Sequence, residues 1–263
     1  RDWSSDVCSS DLEEKFGVIY EYDTSVYNWK QLLENLLKCS LENLHLKYVS
    51  EDAWNWVSDV QPKSTYGDLI HTIYSYFRND ADFNLLWKSF CENILKLALN
   101  VSPGEFTMLN KNVIVMQRLP SIKIVPSKST VKYCDNDLIN KNGIDYSLHT
   151  DNEIALHPEF EENFWMPLMD VDDHNTLYIL HSDNILYPVN IKYGQFVKFY
   201  GCKILHGSIP HNSSINTRIS FDFRGCSYSN YNEEILTDGL LKSAGKVWRQ
   251  KDYYNINNYY RLI

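Results

Sequence analysis

The sequence predicts an α+β chain in which helices come first and a mainly β core of two packed antiparallel sheets, a jelly roll or β-sandwich, follows. Three observations carry this. Apolar residues recur at helical spacing between residues 28 and 100. After Pro103-Gly104 the apolar period changes from 3.6 to 2. The helical stretches do not alternate with the strands, which argues against a parallel α/β sheet.

The elements follow in order. Trp29, Leu32, Leu33, Leu36, Leu37 and Leu44 fall at i, i+3, i+4 and i+7 positions. Leu69, Ile70, Ile73, Tyr74 and Phe77 form a second stripe, and Phe83, Leu86, Trp87, Phe90, Ile94 and Leu97 a third. Such stripes are core-facing surfaces. The expected strands are Val113–Gln117, Ile122–Val125, Phe164–Leu168, Thr176–Leu180, Val189–Lys192, Phe196–Tyr200 and Arg218–Phe223. The last alternates most clearly, with Ile219, Phe221 and Phe223 against Arg218, Ser220, Asp222 and Arg224. Short strands between Asn, Asp, Gly and Ser turns fit a two-sheet β fold.

One domain over residues 13–263 is expected, with a helical buttress at 28–100, a β core at 110–226 and a tail at 227–263. Residues 1–12 contain a near-repeat, Ser4-Ser5-Asp6 and Ser9-Ser10-Asp11, unlike the rest. They are expected to be a non-native or disordered leader. The Tyr-rich tail (Trp248, Arg249, Tyr253, Tyr254, Tyr259 and Tyr260) either folds over a site as a lid or packs on the back of the core.

Composition narrows the function classes. Of 263 residues, 44% are hydrophobic and 22% charged, as in ordinary globular chains. The net charge of −9 disfavours nucleic-acid phosphates as a partner. No apolar run approaches the roughly 20 residues that span a bilayer, so no membrane association is expected. The six cysteines are widely spaced with no CxxC pair, which speaks against a structural zinc site or a disulfide scaffold. With no charged start followed by an apolar stretch, a cytoplasmic location is expected.

Two of the eight histidines, His45 and His71, lie in the helical stripes and read as packing or surface residues. His149-Thr150-Asp151 differs. At a strand end, residues two apart point the same way, so an imidazole and a carboxylate share one face and can reach one metal ion. His206, before the last strong strand, offers a third ligand. Two histidines and one carboxylate that leave open positions form the facial triad of non-haem Fe(II) sites. HxD is a short motif, and His181-Ser182-Asp183 is a second copy. The first is preferred on spacing: His181 lies in a short hairpin connection, and His206 follows it too closely for the chain to cross to the partner sheet and return. Arg218, twelve residues beyond His206, opens a strand, where it is either an anion anchor, since a buried guanidinium requires an anion, or a structural ion-pair partner or surface residue. Its planar fork matches a carboxylate.

An ordered series of segments adds to this. Asn163-Phe164-Trp165-Met166-Pro167-Leu168, Asn175-Thr176-Leu177-Tyr178, Leu205-His206-Gly207 and Asn216-Thr217-Arg218-Ile219-Ser220-Phe221-Asp222-Phe223-Arg224 resemble the Fe(II)/2-oxoglutarate-dependent oxygenases. More narrowly they resemble the streptomycin-cluster branch, tied to carbohydrate and antibiotic gene clusters, of the phytanoyl-CoA dioxygenase-like superfamily. The resemblance covers about residues 113–226. It implies a double-stranded β-helix, a cupin-like jelly roll, with Fe(II), 2-oxoglutarate and O2. It places His149, Asp151 and His206 on iron and Arg218 on the distal carboxylate of 2-oxoglutarate, with Ser208, Thr176 and Trp165 lining that pocket. Related halogenases carry a small residue at the carboxylate position. The intact Asp151 therefore implies hydroxylation, desaturation or cyclisation, with release of succinate and CO2.

Substrate contacts are expected from Arg118, Lys123, His157, Asn163 and Arg224, near the expected mouth. With no basic cluster suited to coenzyme A, the substrate is expected to be a small polar metabolite such as an amino acid or sugar derivative. The competing reading is a cupin-like binding or isomerase domain without redox chemistry, which has no need of Arg218.

Overall fold

The computed structural model describes residues 17–48, 65–99, 113–125, 148–208, 214–243 and 246–263. The expected leader, residues 1–12, lies outside them. Among the described residues the chain is mainly antiparallel β with a helical layer.

The helices are α1 (Trp29–Leu37), α2 (Leu44–Tyr48), α3 (Thr65–Asn79) and α4 (Ala81–Phe90), the last running on through a π-helical turn at Cys91–Leu95. Asn28 caps α1 by accepting from the Gln31 amide, and Asp80 caps α4 by accepting from the Phe83 amide at 2.7 Å. Lys38, in the left-handed region at φ 55°, ends α1. The stripes read from the sequence are buried, as at Trp29, Leu33, Phe77, Phe83, Trp87 and Phe90, although Leu97 is exposed.

Seven strands form the larger sheet: β1 (Val18–Glu21), β2 (Ile114–Gln117), β3 (Ser121–Val125), β4 (Glu162–Pro167), β7 (Gln195–Phe199), β9 (Arg218–Ser227) and β12 (Tyr260–Leu262). Its order is β1-β7-β4-β9-β2-β12, with β3 also on β9. The smaller sheet has the order β6-β5-β8, from β5 (Leu177–Leu180), β6 (Leu186–Pro188) and β8 (His206–Ser208). A separate hairpin pairs β10 (Leu240–Ser243) with β11 (Lys246–Arg249). Further short helices are α5 (Asp151–Ala155) and α6 (Gln250–Tyr253), with a helical turn at Lys96–Ala98 after the π-helical one and a 3-10 turn at Glu233–Ile235.

The alternation of β9 sorts its residues between two layers. Ile219, Phe221 and Phe223 face the helices: Phe221 meets Trp29 at 6.0 Å and Phe77 at 5.7 Å between ring centroids, and Phe223 meets Trp87 at 5.1 Å. The opposite face of the large sheet turns to the small one, where Trp165, Val197 and Phe199 pack with Leu177, Ile179, Val189 and Ile191. The apolar face of β9 is thus covered by helices, and its polar face looks between the sheets.

Some expected elements differ. Residues 189–192 are not a strand. The partner of β5 is β6, at residues 186–188, because the turn at His181–Ile185 closes earlier. β1, β8 and β10–β12, of three or four residues each, are not among the expected strands. The tail forms β10, β11, α6 and β12. Tyr254 and Tyr260 are buried there with Val115 and Cys226, and β12 pairs with β2. It packs against the large sheet and the 156–161 segment.

Among the described residues no helix is long and apolar enough to cross a membrane.

Candidate metal centre

His149 and His206 face each other across an isolated antiparallel bridge. The amide of each donates to the carbonyl of the other, both at 3.0 Å. His206 is also held by β5, opposite Ile179. Two strand-type pairings therefore fix the backbone from which both imidazoles project.

Asp151 does not end a strand. It opens α5, with Thr150 as N-cap, and the Thr150 hydroxyl donates to Glu153 Oε2 at 2.8 Å. Thr150 itself is extended (φ −95°, ψ 148°), so the i, i+2 relation still brings His149 and Asp151 to one side. The Asp151 amide donates to the Gly201 carbonyl at 3.0 Å, tying α5 to the loop before β8.

His149, Asp151 and His206 form a group whose ligand atoms all lie within 4.8 Å of one another. Asp151 Oδ1 is 3.8 Å from His149 Nε2 and 3.5 Å from His206 Nε2. His206 Nδ1 lies 2.8 Å from the Ile204 carbonyl. An acceptor there requires the proton on Nδ1, and Nε2 is the ring nitrogen that faces Asp151 Oδ1. The side chains of Asp151 and His206 are 4% and 5% exposed and that of His149 is 23% exposed, so the group opens on the His149 side.

The second carboxylate oxygen is engaged elsewhere. Arg224 donates to Asp151 Oδ2 from Nε at 3.0 Å and from Nη2 at 2.9 Å, and Asn163 Nδ2 donates to the same oxygen. Burial alone would raise the Asp151 carboxyl, but Arg224, and after it the His206 hydrogen bond, hold it well below the usual carboxylate range. Two imidazoles and an ionised carboxylate are a donor set for a borderline divalent ion such as Fe(II), Co(II) or Zn(II).

From Asp151 a polar strip runs along β9 through Arg224, Asp222, Ser220 and Arg218. Arg218 is fully buried, its guanidinium carbon 5.8 Å from the centre of the Trp165 ring. Lys123, on β3, pairs with Ser220, and Val125 with Arg218. Burial first, and then the Arg218 charge, push the Lys123 ammonium down to about 8. The Ser220 hydroxyl is buried and has no hydrogen-bond partner among the described residues. Sequence reading overlooked Ser220, although it lies on the same face as Arg218, two residues away.

The structure engages the other expected site residues as follows. Thr176 donates its hydroxyl to the Val189 carbonyl, and Trp165 is buried between the sheets. Ser208 lies on β8, and its side chain is outside the described part of the structure. Of the expected substrate contacts, Asn163 and Arg224 bind Asp151. Arg118 donates to the Ile256 carbonyl at 2.8 Å and so ties down the tail. His157 is buried, 2.7 Å from Glu161 and 4.9 Å from the Tyr254 ring. Each of these four thus meets a partner within the protein. Lys123 alone of the five sits on the polar strip free of a backbone or tail role.

His181 and Asp183 are 3.3 Å apart in an exposed turn, where Asp183 Oδ2 accepts from the Tyr187 hydroxyl at 2.7 Å. That pair caps a hairpin, and no third ligand joins it among the described residues.

No family model matches the chain. Among solved structures, the non-haem α-ketoglutarate-dependent carbocyclase SnoK from nogalamycin biosynthesis is similar at 11% identity and a TM-score of 0.41, covering 84% of this chain and 83% of that one. AviO1 from Streptomyces viridochromogenes Tue57 is similar at 12% identity and a TM-score of 0.40, covering 88% and 99%. TM-scores below 0.5 do not establish a shared fold, and the triad stands on its own geometry. Among curated proteins, the streptomycin biosynthesis protein StrG of Streptomyces griseus is 31% identical over 105 residues, which are 39% of this chain and 49% of StrG. The chain thus spans about half the length of the curated relative that it matches, and its resemblance to the streptomycin-cluster branch is borne out to that extent.

Proposed function

We propose that the protein is an Fe(II)/2-oxoglutarate-dependent oxygenase built on a double-stranded β-helix, cytoplasmic, and acting on a C–H bond of a small polar metabolite such as an amino acid or sugar derivative. The observation that carries this is the convergence of His149, Asp151 and His206 on one side of a buried polar strip that ends at Arg218.

The residues fit the co-substrate. Lys123 and Arg218 raise each other's free energy in a buried region, which a bound carboxylate relieves. The unpartnered Ser220 hydroxyl can donate to the same group. A dicarboxylate lying along β9 would place its distal carboxylate at Arg218, Ser220 and Lys123 and its keto-acid end toward the triad. Iron with 2-oxoglutarate and O2 supplies hydrogen abstraction from an unactivated C–H bond, with succinate and CO2 as co-products. The chain's own part is to hold two imidazoles with Nε2 toward Asp151 Oδ1, keep Asp151 ionised, anchor the dicarboxylate and exclude water through the apolar packing of Trp165, Phe199 and Ile179. The intact carboxylate favours hydroxylation, desaturation or cyclisation. The StrG likeness supports a biosynthetic substrate. A cupin-like binding or isomerase domain has no use for the Arg218–Ser220–Lys123 group.

The test is 2-oxoglutarate binding to the anaerobic Fe(II) protein, followed by the visible metal-to-ligand band of a chelated keto acid. Arg218→Ala should weaken binding by about 2–4 kcal/mol, the value of a charge-assisted bidentate pair in a partly dry pocket, with iron affinity little changed. Arg218→Lys keeps the charge but loses the fork and should weaken binding roughly tenfold. Normal 2-oxoglutarate binding by Arg218→Ala would move the anchor elsewhere.

A further inference from the structure

We infer that Arg224 and Asn163 are positioning residues that hold Asp151 as a one-oxygen ligand, keeping the metal position that its second oxygen would otherwise take open for co-substrate or O2. This rests on the metal reading of the triad.

The cross-strand register places the two donors together: Asn163 on β4 pairs with Arg224 on β9. Both point to the face between the sheets, and both donate to Oδ2, Arg224 through two nitrogens. Three N–H groups on one oxygen fill its acceptor capacity. Oδ1 receives none of them and is the oxygen that faces His149 Nε2 and His206 Nε2. The two oxygens of one carboxylate are thereby given different tasks.

The Asn163 amide is placed for this contact at the expense of its own satisfaction. Asn163 is fully buried, and its Oδ1 has no hydrogen-bond partner among the described residues. A buried unsatisfied carbonyl is unfavourable. Flipping the amide would set that oxygen against the Asp151 carboxylate, so the orientation is dictated by the ligand. Gly201 adds an independent constraint. A Cβ on Gly201 would lie 2.5 Å from Asn163 Cγ and Nδ2. The carbonyl of this same glycine accepts from the Asp151 amide. Glycine at 201 lets the loop lie flat on the Asn163 amide while it holds the start of α5.

The consequence concerns coordination. A 2-His-1-carboxylate set leaves three positions on a six-coordinate ion when the carboxylate uses one oxygen. A chelating keto acid takes two and O2 the third. A carboxylate that used both oxygens would remove one of them. Arg224 also offsets the carboxylate charge, which leaves the loaded site more cationic and suited to an anionic chelator.

The test uses the intact chain with Co(II) as probe, read by affinity and by its visible absorption, with thermal melting as a check on folding. Asn163→Ala should weaken Co(II) by about 10–100-fold, the usual effect of removing a partner of a metal ligand. Gly201→Ala, which displaces the Asn163 amide, should do the same, and in the Asn163→Ala background it should add nothing. Metal-saturated Asn163→Ala should also bind 2-oxoglutarate more weakly than wild type and show a changed Co(II) spectrum before it is added. Arg224→Lys should follow Asn163→Ala if it folds. Wild-type Co(II) affinity and spectrum in Asn163→Ala would overturn the inference, as would full additivity of the two substitutions. Equal Co(II) binding by wild type and His206→Ala would instead overturn the metal reading, and the positioning role with it.

Discussion

The two faces of β9 differ in what they demand of a side chain. On the outer face Ile219, Phe221 and Phe223 meet helix side chains such as Trp29, Phe77 and Trp87 in a cluster of many rings. Each contact there is replaceable by another apolar group of similar volume. On the inner face Arg218, Ser220, Asp222 and Arg224 are polar and mostly buried, and Arg224 has a defined partner in Asp151. One face holds the sheet to its helical layer, and the other carries the site. The difference shows that a strand with perfect alternation need not turn its apolar side to the space between two sheets. Where helices cover the outer face, the polar side is the interior of the β core.

The comparison breaks most visibly if substitutions on the two faces have the same signature. Phe223→Ala should lower stability by about 3–5 kcal/mol, the usual loss for a large core aromatic. It should leave the affinity of the folded protein for Co(II) close to wild type. Asp151→Ala should abolish metal binding and also destabilise by about 1–3 kcal/mol, because the buried Arg224 guanidinium loses its Asp151 hydrogen bonds and keeps Asp222, 3.4 Å from Nη1, as counter-ion. Denaturant unfolding and metal titration on both variants separate the cases. Metal loss in Phe223→Ala at conditions where it is folded would show that the faces are not independent.

A smaller effect sharpens the account of the inner face. The Lys123 ammonium releases its proton near pH 8 in the folded chain, while an unfolded lysine holds it to about 10.4. Between those values the unfolded chain binds more protons, so stability rises with pH across that window. Below pH 8 the penalty is fully present. Lys123→Met should therefore stabilise the protein at pH 7, and its stability should rise less than that of wild type from pH 8 to 10. Thermal melts at several pH values check this. Saturating 2-oxoglutarate should reverse the order at pH 7 by placing a carboxylate beside Lys123.

Much of this was legible in the sequence. The helical stripes and the β9 alternation named the outer core correctly, since apolar periodicity is written locally. Spacing alone separated His149-Thr150-Asp151 from His181-Ser182-Asp183, and the latter caps an exposed turn. The partners of buried polar residues were not legible. Arg224, Asn163, His157 and Arg118 were expected at a substrate mouth, and each is bonded within the protein: the first two to Asp151, His157 to Glu161 and Arg118 to Ile256. Glu161 lies only four residues from His157, but Asp151 and Arg224 are 73 apart. Such pairings depend on strand register, which a single sequence does not fix. The helix that begins at Asp151 was also unforeseen, since five residues are too few to show a period of 3.6.

The central claim is that His149, Asp151 and His206 together bind one divalent ion. Anaerobic Fe(II) titration of the wild-type chain and of the single variants His149→Ala, His206→Ala and His181→Ala tests it most directly. One equivalent bound by wild type and His181→Ala, with loss in both triad variants, is the predicted result. Wild-type affinity in His149→Ala and His206→Ala, or loss of the ion in His181→Ala alone, would contradict it.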